Sequence, residues 1–168
     1  GVWLDLPTTT EQVQAALRQI GISSDNPQGL FISGYFAEEE KRIAIPYNMV
    51  LASNVDELNF LASRLETLSA GERAELNAAL QAPQSELSSI GKITDFPENV
   101  EYYVHLPDVR GPAQLGDYYL NRSGMVDMPD EWKGGIDTAQ FGRYVAQQEQ
   151  GVFTQYGYLV KSGDEWQK

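Results

Sequence analysis

Cysteine is absent and histidine occurs once, at His105. Without thiols there is no disulfide framework, no Cys nucleophile and no thiol redox chemistry. One imidazole and no thiolate also leave zinc without a ligand set. Basic residues are scarce: 12 Lys and Arg stand against 24 Asp and Glu, a formal net charge of −12. That balance speaks against direct nucleic-acid binding, because like charge repels a polyanion. Long apolar runs are missing too. None approaches the roughly 20 residues that cross a bilayer, and no basic stretch followed by an apolar core opens the chain as a signal peptide would. What is present is 42% hydrophobic residues within 168, enough to bury a core without staples. The expectation is a soluble, cytoplasmic, acidic folded protein with no membrane partner.

The charge is unevenly placed. Residues 1–55 carry six acids and three bases, residues 56–137 fifteen and six, and residues 138–168 three of each. The segment nets are therefore −3, −9 and zero. The acids of the middle segment are dispersed rather than blocked, which suits a folded charged surface better than an acidic tail. Ordinary solubility accounts for such a surface on composition alone.

The chain divides into three stretches. In residues 1–52, Val2–Leu6 reads as a strand ended by Pro7. Thr8 and Glu11 form a capping box for a helix with Val13, Ala16, Leu17 and Ile20 on one face. Turn-rich Ser23–Gly29 follows. Leu30–Phe36 and Arg42–Ile45 then read as strands of a hairpin around Glu38–Lys41. Residues 53–94 are helical. Asn54 caps a helix with Leu58, Leu61, Leu65 and Leu68 on one face; Ser69 and Glu72 open a second that Pro83 ends; Ser85–Ile90 makes a short third. In residues 95–168 the pattern gives a strand at Val100–Leu106, a helix at Gln114–Ser123, one turn at Pro129–Lys133, a helix capped by Asp137, and a final strand at Val152–Val160. The fold class expected is α+β, with strands at both ends and helices in the middle.

Signals for an enzyme are weak. His105 lies in a strand-like run, where a satisfied structural role is commoner than a general base. No Gly-x-Ser-x-Gly elbow and no phosphate-cradling loop is present. Asp127, Asp130 and Glu131 match no EF-hand spacing. Twenty-four acids allow many carboxylate pairs, and nothing marks one out. We therefore expect no enzyme, no metal and no cofactor.

The start Gly1-Val-Trp-Leu-Asp-Leu-Pro7, the stretch Val55-Asp-Glu-Leu-Asn-Phe-Leu61 before a Leu-rich helix, and Asp117-Tyr-Tyr-Leu120 ahead of Gly124 carry a resemblance. So do Met128-Pro129, Ile136-Asp-Thr-Ala-Gln-Phe-Gly-Arg143, Gly151-Val-Phe153 and Gly157-Tyr-Leu159. In order and spacing these motifs resemble the ArdA family of antirestriction proteins over nearly the whole chain. The chain departs from the family pattern at Thr138, Gln140 and Tyr144, where the family often has Tyr, an acid and Asp. The family also usually has one more strand and turn ahead of Gly1, which implies that the first sheet is incomplete here.

The resemblance implies an inhibitor that mimics bent double-stranded DNA and occupies the DNA-binding groove of type I restriction–modification enzymes, at the methyltransferase core. It implies carriage on mobile elements such as conjugative plasmids, an elongated fold of three small units in a row, and homodimers formed through the C-terminal unit. The mimic surface expected is Asp56, Glu57, Glu66, Glu72, Glu75, Glu86, Asp95, Glu98, Glu101, Asp108, Asp117, Asp127, Asp130 and Glu131. Tyr118, Tyr119, Phe141 and Tyr144 are expected at the dimer interface or in the C-terminal core. The alternative function is a generic acidic interaction domain for another basic partner. The arithmetic of mimicry is favourable. If all 24 acids were displayed they would match about 41 Å of duplex, or about 12 base pairs. A compact globule of this length has a radius of gyration of only about 15 Å, so mimicry of a longer site calls for units strung out and paired.

Overall fold

The computed structural model describes residues 1–23, 29–83 and 85–168. In chain order the helices are α1 (Thr10–Gln19), α2 (Tyr47–Leu51), α3 (Val55–Leu65), α4 (Ala70–Gln81), α5 (Ile90–Thr94), α6 (Pro112–Asp117), α7 (Asp130–Lys133) and α8 (Thr138–Glu149). The strands are β1 (Tyr103–Leu106), β2 (Val152–Thr154) and β3 (Gly157–Lys161). They form one antiparallel sheet in the order β1-β3-β2, so the class is α+β. Contacts group the chain into two compact units, each drawn from two stretches. The first is Gly1–Ser69 with Glu86–Pro97, and the second is Ala70–Ser85 with Glu98–Lys168.

In the first unit, α1 starts one residue later than the sequence suggests. Thr9 is the N-cap, its hydroxyl accepting from Gln12 N at 3.3 Å while the Gln12 side chain accepts from Thr9 N. The chain entering α1 is tied to α3 by a reciprocal pair: Thr8 N donates to Asn59 Oδ1 at 2.6 Å, and Asn59 Nδ2 donates to Thr8 O at 3.1 Å. Helix α3 packs on α5, and Leu61, Leu68, Leu87, Ile93 and Phe96 of this unit are buried. Ser89, inside the expected third helix, is instead the N-cap of α5, its Oγ accepting from Lys92 N.

The strands expected at Val2–Leu6, Leu30–Phe36 and Arg42–Ile45 are not found; among the described residues the sheet is confined to the second unit. Their β-branched and aromatic composition favours an extended chain, but a strand exists only beside a strand. The expected Ser23–Gly29 turn falls largely outside the described residues. Side chains hold this region instead. The rings of Tyr35 and Tyr47 stack with centroids 6.1 Å apart. Tyr35 Oη donates to Ile45 O at 2.7 Å, and Tyr47 Oη donates to Ser33 O at 2.6 Å. The two tyrosines clasp residues 33–35 to residues 45–47.

In the second unit, Pro112 opens α6, a position where its missing N–H costs nothing. The expected helix at Gln114–Ser123 changes character after Asp117. Residues Tyr118–Arg122 form a wider π turn, closed by Ser123 N donating to Tyr118 O at 2.8 Å. Asp137 caps α8 as expected, accepting from Gln140 N at 3.0 Å. The final strand is in fact a hairpin, β2 with β3, because Gly157 sits at φ +118°, a backbone state closed to side chains. Only the second half of Val100–Leu106 is a strand. His105 lies in β1, its Nε2 donating to Tyr156 O at 2.7 Å, a structural bond.

Two glycines set the main helix contact of this unit. A Cβ on Gly116 would lie 1.9 Å from Thr138 O, and one on Gly142 would lie 1.8 Å from Pro112 O. The backbones of α6 and α8 therefore touch with no side chain between them. Beneath this crossing Val109, Leu115, Ala146 and Tyr158 form a core, with Tyr118, Tyr119 and Phe153 packed against it.

Candidate functional site

The acids are positioned by local helix chemistry. Asn54 caps α3, its Oδ1 accepting from Glu57 N at 2.9 Å, and this fixes Asp56 and Glu57 in the first turn. There the helix dipole favours negative charge. Asp130 and Glu131 hold the same place in α7. Glu66 and Asp95 are different: they are the C-cap residues of α3 and α5. A carboxylate there opposes the dipole, at a typical cost of about 0.3–1 kcal/mol. Their presence is not explained by helix stability.

Of the fourteen acids expected on the surface, Asp56, Glu57, Glu66, Glu98, Glu101, Asp108, Asp117, Asp127, Asp130 and Glu131 are exposed. Glu72, Glu75, Glu86 and Asp95 are half-buried. Basic side chains lie beside some of them: Lys92 is 3.5 Å from Glu86, Arg122 is 3.7 Å from Asp117, and Lys133 is 3.4 Å from Asp130. Exposed acids occur in both units, and no group of His, Cys, Asp or Glu among the described residues is arranged to hold a metal ion.

Glu75 behaves unlike the others. One oxygen of its carboxyl is out of solvent and has no hydrogen-bond partner. Burial first, and the Glu72 carboxylate one turn earlier second, push its pKa up to about 8. At neutral pH this carboxyl is mostly uncharged. Glu72 and Glu75, although helical at the spacing of three that suits phosphate imitation, therefore do not offer two equal anions. The cause lies in α4, where Leu76, Asn77, Ala78 and Ala79 are all buried. The buried stretch that follows draws part of the Glu75 side chain out of water as well, including one carboxyl oxygen.

A second acid is withdrawn by the core. Glu149, at the end of α8, accepts from Tyr119 Oη at 2.9 and 3.0 Å and also from Tyr158 Oη. Burial, then the Glu149 carboxylate, holds both phenols far above the ordinary tyrosine range. Tyr119 thus lies in the core of the second unit, with Tyr118 edge-on beside it at 5.4 Å. Phe141 is half-buried, and Tyr144 is 60% exposed on α8. Sequence reasoning missed Glu149: nothing in the run of Gln and Glu ending α8 marks which side chain turns inward. It also missed how open Trp3, Phe31, Phe36 and Phe60 stand in the first unit.

A shallow concavity of about 480 Å³ in the second unit is lined by Asp108, Ala113, Gln114, Asp117 and Arg122. Its polar groups are held in place. Arg110 N donates to Gln114 Oε1 at 2.6 Å, and Asn121 Nδ2 donates to Asp117 Oδ1 at 2.8 Å.

No helix among the described residues is long and apolar enough to cross a membrane. The family model described as Antirestriction protein (ArdA) matches residues 1–160. No curated protein matches the chain.

Proposed function

The chain belongs to the ArdA family of antirestriction proteins, and on that premise we propose that it inhibits a type I restriction–modification enzyme by standing in for bent duplex DNA. The observation that carries the mechanism is the set of ten exposed, dispersed carboxylates spread over both units. Lys and Arg side chains shaped to meet phosphates in the methyltransferase core would meet these carboxylates instead. Binding is non-covalent, needs no cofactor and weakens as salt screens the charges. Competition with labelled duplex for a purified type I methyltransferase tests it. Displacement of the duplex supports mimicry; binding to the enzyme without displacement would favour an acidic interaction domain that acts elsewhere.

Charge spread over many contacts predicts graded loss. An exposed ion pair contributes about 0.2–1 kcal/mol. Neutralising Glu101 alone is therefore expected to weaken inhibition by less than about five-fold. Neutralising Asp56, Glu57, Glu66, Glu98, Glu101 and Asp108 together is expected to weaken it on the order of 100-fold. A single neutral substitution that abolished inhibition of a folded protein would contradict the scheme.

We also place a homodimer contact on the outer face of α8. The C-terminal 31 residues carry three acids and three bases, so two copies can meet there without repulsion. Tyr144 is the most exposed of the four aromatic candidates. Tyr144→Glu is expected to sediment as a monomer with little change in Tm. Tyr119→Glu is expected to lower Tm, because its ring belongs to the core. A Tyr144→Glu protein that sediments as a dimer removes α8 from the interface.

A further inference from the structure

We propose that Arg122 is an internal counter-ion that occupies the Asp117 carboxylate and must swing away before a basic side chain of the inhibited enzyme can take its place; this rests on the function proposed above. The geometry that builds the contact is the π turn. In an α-helix, residues five apart point about 140° away from each other. In the wider π turn they return to the same side. Residues 118–122 are wound this way, so both Asn121 and Arg122 reach back to Asp117. Asn121 fixes one carboxylate oxygen, and Arg122 Nε approaches the other at 3.7 Å.

The contact is loose in the way a displaceable one must be. It uses Nε at 3.7 Å rather than a short two-point fork. Both side chains are about half exposed. In the same pose the guanidinium lies over the Tyr118 ring, its carbon 5.4 Å from the centroid, a contact that does not depend on the Asp117 carboxylate. Asp117 and Arg122 share one shallow concavity with Asp108, whose carboxylate is also exposed. The pocket therefore holds a guanidinium supplied by the chain itself, beside an oriented carboxylate, with a second acid at hand. An incoming arginine of the enzyme finds the same chemistry and competes for it. The interaction is exposed and screened, so displacing Arg122 lowers apparent affinity only modestly.

The test titrates inhibition of duplex binding by a purified type I methyltransferase with four proteins: the unaltered chain, Arg122→Gln, Arg18→Gln, and the double variant Asp117→Asn/Arg122→Gln. Arg18 is exposed at the end of α1 and lies in the first unit, so its removal makes the same change in net charge without touching Asp117. Arg122→Gln is expected to inhibit at a roughly two- to five-fold lower concentration in low salt. Arg18→Gln is expected to match the unaltered chain, and the double variant to lose the gain. No gain in Arg122→Gln, an equal gain in Arg18→Gln, or a gain that survives in the double variant overturns the counter-ion role while leaving inhibition standing. If the unaltered chain does not compete with duplex, the proposed function fails instead. Calorimetry with an oligo-arginine peptide then decides the role of Arg122: tighter binding to Arg122→Gln than to Arg18→Gln upholds it, and equal binding removes it.

Discussion

Gly142→Ala is expected to cost the second unit about 3 kcal/mol or more and to lower Tm on the order of 10 °C. The added methyl would lie 1.8 Å from Pro112 O and 2.9 Å from Gly116 N. Both are backbone atoms, so no side chain can rotate away. Relief requires α6 and α8 to separate, which opens the packing over Leu115 and Ala146. Alanine would ease the helix itself by about 0.5–1 kcal/mol relative to glycine, and the clash outweighs that gain. Gly134→Ala is the control: its Cβ meets only Glu131 O, at 3.9 Å. Thermal melts of the two variants decide the matter. If Gly142→Ala melts with Gly134→Ala, the helices do not touch through their backbones. Gly142 lies within the Phe141-Gly-Arg143 motif by which the chain resembles its family, and the crossing gives that glycine a physical reason.

Glu75→Gln is expected to stabilise the protein at pH 8 and to change it little at pH 4. The sign follows from the raised pKa. In the folded chain the carboxyl holds its proton up to about pH 8, whereas an ordinary glutamate releases it near 4.5. Folding therefore takes up a proton between these values. The stability linked to Glu75 is fully present below about 4.5 and is lost as pH rises through 8. Because the side chain is only half-buried, the full shift overstates the energy, and a gain of about 1–2 kcal/mol at pH 8 is the scale after screening. Denaturant melts of both proteins at pH 4, 6 and 8 measure it. The global repulsion of a −12 chain also grows with pH, so the difference between the two proteins is the informative quantity. A difference that does not vary with pH would show that position 75 is solvated. Inhibition by Glu75→Gln should be unchanged at pH 7, since a mostly neutral acid contributes little to a charged display.

Local signals were legible where they act within a turn or two. Asn54 and Asp137 announce helix starts through chemistry that needs only the next three residues. The leucines of α3 announce a buried face. What could not be read depends on partners distant in sequence. Leu30–Phe36 has the composition of a strand, yet pairing is decided elsewhere, and the chain settles for the Tyr35–Tyr47 clasp. The π turn at Tyr118–Arg122 was not legible either, because no residue there signals five-residue spacing. Among the acids, charge count alone could not separate Glu101, which is open to water, from Glu75, which is half-buried with one carboxyl oxygen out of solvent. Nor could it identify Glu149, which two phenols enclose. Those distinctions arise only when a helix is placed among its neighbours.

Glu66 and Asp95 sit at helix ends that would be better served by lysine. Anyone seeking a heat-tolerant version by the usual surface remedies would begin by reversing these two charges. On the function proposed above, the same edits would remove negative charge that is offered to the target enzyme. Thermal robustness and inhibitory strength should therefore pull in opposite directions at these positions, and a selection for one will drift away from the other.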